Sequence, residues 1–392
     1  IRKTFESFGF DPLETSSVQR TEVLTGGEED SGKIIFNVKG SQEEKSDTSL
    51  RFDLTVPLAR FIAANPEIPK PFKRYEIGRV WRGESPQSGR YREFMQADVD
   101  IVGSSSIDAD AEIIAIIYQT LKNMNVGDFK IQYNNRKLLN ELPAYADFPE
   151  TQLWSALRII DKAEKIGREQ VERDLSKIFN PKIAIKIGKF IFESSGGTED
   201  GYKEFRDIQN ALAVSGINPD KVLVLGRWMV RGLSYYTGSV FETVLTDTPD
   251  IGSVAGGGRY DNLVFQFTGQ NIPSVGASIG VDRLFAALEK LGRLGNKQTK
   301  TTVLIIEFDA RYKRDYIEMT QELREAGVNT TVYLGDDQIF QAQLSYAVKK
   351  EIPFVIIYGE EEKRKGVVTV KNLATREQEE VRREGLIDFF IK

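Results

Sequence analysis

The stretch that most restricts how this chain can fold is FKRYEIGRVWRGESPQSGRYREFMQADVDIVG, residues 72–103. Two runs of strand-forming residues flank the turn-rich SPQSG, a pattern that predicts an antiparallel hairpin with a long loop. Side chains alternate along a strand. Met95, Ala97, Val99 and Ile101 therefore share one face of the second run, and Arg92, Phe94, Gln96, Asp98 and Asp100 share the other. Arg74, Glu76, Arg82 and Glu84 form one alternating set on the first run, and the loop adds Arg90. A half-exposed sheet with a solvated charged face accounts for such alternation. A mixture of arginines, carboxylates and an amide also suits a binding site, because guanidinium forks hold phosphate in bidentate fashion. On the pattern alone both readings stand.

Three other segments carry candidates. LRFDLTVPLAR (50–60) sets Asp53 and Thr55 two residues apart, on one strand face. GASIGVDRLFAALEKLG (276–292) reads as a strand and glycine turn opening a helix, with Arg283 in the first turn. A polyphosphate there would meet both that arginine and the helix N-terminus, although a surface arginine is the plainer explanation. RGLSYYTG (231–238) is either a strand entry with aromatic packing or a pocket wall. VAGGGRYDNLV (254–264) fits neither GxxxxGK followed by Ser or Thr nor GxGxxG opening a helix. Its three glycines predict close approach of the backbone to a ligand or another strand.

Composition narrows the chemistry. The 392 residues contain no cysteine, which removes disulfides, thiolate catalysis and cysteine zinc sites. They contain no histidine either, which excludes Ser-His-Asp triads, histidine-ligated zinc and imidazole acid–base catalysis. What is left is carboxylates, Arg, Lys, Tyr, amides and a borrowed metal ion, a set suited to positioning and electrostatic stabilisation. A net charge of −5 argues against a globally basic nucleic-acid binder while leaving room for a local basic surface. The chain has 40% apolar and 28% charged residues and no run of eighteen apolar ones, so a globular protein without a membrane span is expected. The opening IRKTFESFGF carries no signal-peptide features, and its lack of a methionine leads to the expectation of residues upstream.

The length suits two to three domains. Residues 50–102 read as strands and tight connections, and 108–124 as a buried helix with Asp108 as N-cap. Residues 149–215 read as a polar helical insertion, and GRLGNKQTK (292–300) as a linker. From 301 to 392 strands alternate with helices, predicting a small α/β domain with a mainly parallel sheet.

In order along nearly the whole chain, these pieces resemble the histidyl-tRNA synthetases, members of the class II aminoacyl-tRNA synthetases. RVWRGESPQSGRYREF looks like motif 2 and SIGVDRLFAALE like motif 3; RGLSYYTG and GGGRYDNLV are similar to the two histidine-specific signatures. KKEIPFVIIYGEEEKRKGVVTVKNLATREQ is similar to the C-terminal anticodon-binding domain. The resemblance implies an α+β catalytic domain (1–291), an antiparallel sheet flanked by helices, followed after the linker by an α/β anticodon-binding domain (301–392). It implies a cytoplasmic homodimer that uses ATP with Mg²⁺ to activate L-histidine and passes it to the 3′ end of tRNA(His). By the same matching Arg82 would hold the α-phosphate, Arg283 the γ-phosphate, and Glu84 and Arg90 the nucleotide, with Arg231 across the reacting phosphate and against the histidine. Asp53, Thr55 and Gln96 would take the ammonium group; Asp100 and Tyr236, with Tyr235 beside them, would take the imidazole; Gln87 would approach the tRNA acceptor end. Two departures stand out: Ser234 where the signature has Asp, and Ser16 where motif 1 has proline. A non-charging regulatory paralogue, or a histidine or uncharged-tRNA sensor, is the competing expectation.

Overall fold

Eight strands form the main sheet: β1 (Asp11–Pro12), β2 (Phe72–Trp81), β3 (Glu93–Val102), β4 (Phe129–Asn135), β5 (Leu223–Leu225), β6 (Ser239–Leu245), β7 (Ser253–Arg259) and β8 (Ser274–Gly280). Their spatial order is β1-β2-β3-β8-β7-β6-β4-β5. Pairing is antiparallel from β2 through to β4, with parallel pairs only where β1 and β5 join at the edges. The computed structural model describes residues 1–25, 35–41, 46–84, 89, 91–193, 199–230, 236–294, 299–307, 309–337 and 339–391. Within it the chain divides into two compact units, Ile1–Leu294 and Gly295–Lys392.

The hairpin of β2 and β3 runs in unbroken register from Phe72↔Val102 to Trp81↔Glu93. Its apolar set, Ala97, Val99 and Ile101, joins Ile131, Phe241, Val275 and Ile279 in the core on one face of the sheet. Helices close that face. They include α2 (Ile107–Asn123), α3 (Glu199–Val214) and α4 (Val281–Lys290), while α1 (Thr55–Ala64) packs in a separate core with Val102 and Tyr260. Ile113, Ile114, Ile116 and Ile117 of α2 are wholly buried, as an apolar helix pressed onto a sheet requires. Ile208 of α3 and Leu284 and Ala287 of α4 complete the same core.

Several sequence expectations shift. The N-cap of α2 is Ser106, not Asp108: its backbone is extended and its Oγ accepts the Asp108 N–H at 3.2 Å. Asp108 sits in the first turn, where its charge suits the helix dipole. The stretch 50–60 is not one strand. A short strand ends at Leu50 and α1 starts at Thr55, because Asp53 Oδ1 accepts the Val56 N–H (3.2 Å) and satisfies one of the orphan donors of the first turn. Helical structure begins at Arg136–Asn140, ahead of 149, and Leu139 and Leu142 belong to the same core as the later helices.

The second unit has a five-stranded sheet: β9 (Val303–Ile305), β10 (Thr330–Val332), β11 (Phe354–Ile357), β12 (Val367–Asn372) and β13 (Gln378–Arg382), ordered β10-β9-β11-β12-β13. Helices α5 (Lys313–Glu325) and α6 (Phe340–Lys349) form the crossovers that make β9 parallel to β10 and β11. Short connections then return β12 and β13 antiparallel, so the sheet is mixed where the rhythm predicted a mainly parallel one.

Candidate active site

The charged face of the hairpin is buried. Arg74 is 0% exposed, and Glu76, Asp98 and Asp100 are each 2% exposed, so the solvated-face reading does not hold. Cross-strand register places Arg74 opposite Asp100 and Glu76 opposite Asp98, with Ser278 of β8 on the other side of Asp98. Buried charges need partners, and most have them. Arg51 Nη1 lies 2.6 Å from Glu76 Oε1, whose carboxylate also accepts the Thr15 hydroxyl at 2.8 Å. Arg74 Nη2 donates to Leu54 O (2.9 Å) and stands 3.0 Å from Asp100 Oδ2. The Tyr260 hydroxyl donates to Asp100 Oδ1.

Two guanidinium groups thus offset Glu76 and Asp100, leaving Asp53 and Asp98 as the surplus acids. Burial, opposed by the Val56 N–H and by Arg82 and Arg74, pushes Asp53 up to about 6. Burial together with the Asp100 charge pushes Asp98 up to about 8. Among the described residues, Asp53 Oδ2, Asp98 Oδ1, Gln96 Oε1 and Ser278 Oγ are buried polar atoms with no hydrogen-bond partner. Each is a group that a polar ligand would satisfy.

These residues line a cavity of about 110 Å³ walled by Asp53, Thr55, Gln96, Asp98, Asp100, Tyr236 and Tyr260. It adjoins a larger cleft of about 280 Å³, the two sharing Arg82, Gln96, Tyr236, Gly256 and Ser278. Arg82, Glu84 and Arg283 line the cleft, with Phe94 and Tyr91 as aromatic walls and Glu242 as a further carboxylate. Arg82 is held by its stem: Nε donates to Phe52 O at 3.0 Å, and the guanidinium lies 5.2 Å from the Phe94 ring centre. Arg283 opens α4, where Nη1 donates to Ser253 O at 2.6 Å. Its neighbour Asp282 accepts the Met95 N–H at 2.6 Å and ties the helix start to β3.

Glycine makes room at two points. A Cβ on Gly276 would lie 1.9 Å from Asp100 Oδ1, and one on Gly257 2.1 Å from Gly276 O. The GGG run therefore serves close strand approach at Gly257, while Gly256 faces the cleft.

Of the residues singled out in the sequence, Asp53, Thr55, Gln96, Asp100, Tyr236 and Arg82 meet in the deep cavity, and Glu84 and Arg283 line the cleft. Gln87, Arg90, Arg231, Ser234 and Tyr235 lie outside the described residues. The sequence reading gave no role to Arg51, Asp98, Tyr260, Glu242 or Ser278. Asp98 was discoverable, being in phase with Gln96 and Asp100, and Tyr260 follows the glycine run. Arg51 has no local signal, because its partner Glu76 is twenty-five residues away.

Residues 1–284 match the family model described as histidyl-tRNA synthetase, and residues 300–392 match the anticodon binding domain. A cation-lined cleft opening into a small acidic cavity, on a chain with an anticodon-binding module, defines an aminoacyl-tRNA ligase. The histidine–tRNA ligase of Clostridium tetani is 40% identical over 411 residues, covering 99% of this chain and 92% of that one. That of Rhodopirellula baltica is 38% identical over 400 residues, covering 97% and 89%. The crystal structure of histidyl-tRNA synthetase from a Nostoc species superposes with a TM-score of 0.88 at 34% identity, over 99% of this chain and 92% of that one. The chain belongs to the histidyl-tRNA synthetase family.

Proposed function

We propose that this ligase activates L-histidine with ATP in the paired cavities and transfers it to the 3′ end of tRNA(His), by the class II mechanism. The observation that carries the reading is the junction of the two cavities, where Arg82 faces both. A carboxylate reaching out of the deep cavity would meet a phosphate in the cleft at that point.

The chemistry needs no imidazole base. Histidine's carboxylate attacks the α-phosphorus, the bond to pyrophosphate breaks, and negative charge develops on the phosphoryl oxygens. Fixed guanidinium groups stabilise that charge without reorganising. Arg82 is assigned to the α-phosphate, Arg283 at the start of α4 to the γ-phosphate, and Arg231 to the phosphate from across the cleft and to the histidine carboxylate. Glu84 and Arg90 are assigned to the nucleotide. Asp53, Thr55 and Gln96 take the ammonium; Asp100 and Tyr236, flanked by Tyr235, take the ring, an acceptor and a phenol meeting its two nitrogens. In the second step a terminal hydroxyl of the tRNA attacks the adenylate carbonyl and AMP leaves, with Gln87 near the acceptor end. Mg²⁺ would enter on the ATP phosphates and neutralise part of their charge; Glu84 and Glu242 are the carboxylates of the cleft that could approach it.

The second unit is assigned to the anticodon of tRNA(His), and residues 1–291 to catalysis with the helical insertion. A homodimer working in the cytoplasm, where tRNA is charged for translation, completes the proposal; among the described residues no helix is long and apolar enough to cross a membrane. The non-charging paralogue is disfavoured because the curated ligases align over nearly the full length, anticodon-binding domain included.

The test is histidine-dependent exchange between ATP and pyrophosphate. The wild type should exchange, and Arg231→Ala should lose about a hundredfold or more with its fold intact. A well-folded wild type that does not exchange would sink the proposal. Near-normal exchange by the variant would remove Arg231 from the phosphate.

A further inference from the structure

We propose that Asp98 is a specificity-determining residue of the histidine pocket, and that the bound ring and the Asp98 carboxyl hold one proton between them. The inference rests on the assignment of the deep cavity to histidine.

Asp98 lies between the residue assigned to the ammonium and the residue assigned to the ring. Along β3 the cavity-facing positions are Gln96, Asp98 and Asp100. The side chain is 2% exposed, and among the described residues its Oδ1 is buried without a hydrogen-bond partner. The groups that face it from the surrounding elements are Arg74 and Glu76 of β2, Arg82 just beyond it, Asp100 on its own strand, Ser278 of β8, Tyr236 ahead of β6, Tyr260 at the end of β7, and Asp53 ahead of α1. Glu76 is already met by Arg51, and Asp100 by Arg74 and Tyr260. Arg82, the other guanidinium on the cavity wall, is held by Phe52 O and the Phe94 ring, and among the described residues no cation stands within ion-pair distance of Asp98. Burial and the Asp100 charge accordingly keep the carboxyl protonated, up to about 8.

Histidine brings a ring whose second proton is gained or lost in the same range. A neutral imidazole has one N–H and one bare nitrogen. Asp100 accepts the N–H, and the bare nitrogen can accept from a protonated Asp98 in place of the Tyr236 phenol. If the proton crosses to the ring, Asp98 becomes the acceptor and the total charge of the cavity is unchanged. Tyr236, whose hydroxyl both donates and accepts, fits either state. A side chain of similar size without a ring nitrogen leaves the Asp98 carboxyl unmet, and buried polar groups left unpaired are what give such a site discrimination.

Near pH 7 the free protein supplies the shared proton on Asp98 and the free ring brings none, so binding exchanges no net proton. Above about 8 the free protein has lost it, binding must draw one from solvent, and affinity falls about tenfold per pH unit. The wild type should show its KM for histidine rising about tenfold between pH 7 and 9 beyond any change in Asp98→Asn, which cannot ionise. Histidine's own amino group titrates in this range but contributes equally to both proteins. Calorimetry in buffers of different ionisation enthalpy reads the proton directly. At pH 9 the wild type should take up close to one more proton per histidine than the variant.

Should Asp98→Asn fail to fold, the wild type alone decides. At pH 8.5 its uptake should exceed the amino group's share by more than about half a proton. Histidine binding with no excess uptake, or an identical alkaline rise in wild type and variant, overturns the role of Asp98 and leaves the histidine pocket standing. No histidine binding at any pH overturns the pocket itself.

Discussion

At the scale of single residues, Asp98 and Asp53 are carboxyls that folding drives toward the neutral form. The native state therefore binds a proton that the unfolded chain has released. For Asp98 this holds from the unfolded value of 3.8 up to about 8, and for Asp53 from 3.8 to about 6. Their contribution to stability is greatest at the acid end of those windows and is lost as pH rises through the folded values. Removing the charge of Asp98 should flatten its share. In urea titrations without ligand, the wild type should lose roughly 2 kcal/mol more than Asp98→Asn between pH 6 and 8. Equal losses would mean that Asp98 is ionised in the folded protein. At this scale the sequence showed the cavity-facing acids through their alternation. It could not show which acids gain a guanidinium partner, because Arg51 and Arg74 are brought to Glu76 and Asp100 by the fold.

At the scale of elements, the pocket depends on how closely β8 approaches β3. Gly276 pairs with Asp100, and its missing side chain is the space the Asp100 carboxylate occupies. Tyr260 and Arg74 hold that carboxylate, so it cannot retreat from a methyl group. Gly276→Ala should raise the KM for histidine about tenfold or more while the KM for ATP moves less than about twofold, as separate titrations in the exchange assay will show. A parallel rise in both would mean that the sheet itself had shifted. Period two in 72–103 was enough to read the hairpin, since each strand is long and one face of the second is apolar from Met95 to Ile101. The start of α1 was misread because a strand pattern over 50–60 cannot reveal that Asp53 caps the Val56 N–H.

At the scale of the whole molecule, chemistry and anticodon binding are assigned to separate compact units, Ile1–Leu294 and Gly295–Lys392. A chain ending at Leu294 should keep histidine-dependent exchange. Its charging of tRNA(His) should fall about a hundredfold or more, because one of two linked binding modules is gone. Charging at the full rate would remove the second unit from tRNA recognition. Loss of exchange with a folded fragment would show that the units are coupled in catalysis.

The sequence by itself determined the alternation that makes β2 and β3, the apolar helix that covers them, the glycines that thin the sheet, and the exclusion of histidine and cysteine chemistry. All of these are local or compositional properties, carried by residues close together in the chain. Only the tertiary structure decided that the charged face is buried, that Arg51 reaches Glu76, that Tyr260 braces Asp100, and that Asp98 Oδ1 is left without a hydrogen-bond partner among the described residues. Burial and charge pairing arise from residues far apart in sequence, and the proton held by a carboxyl follows from the charges the fold places around it.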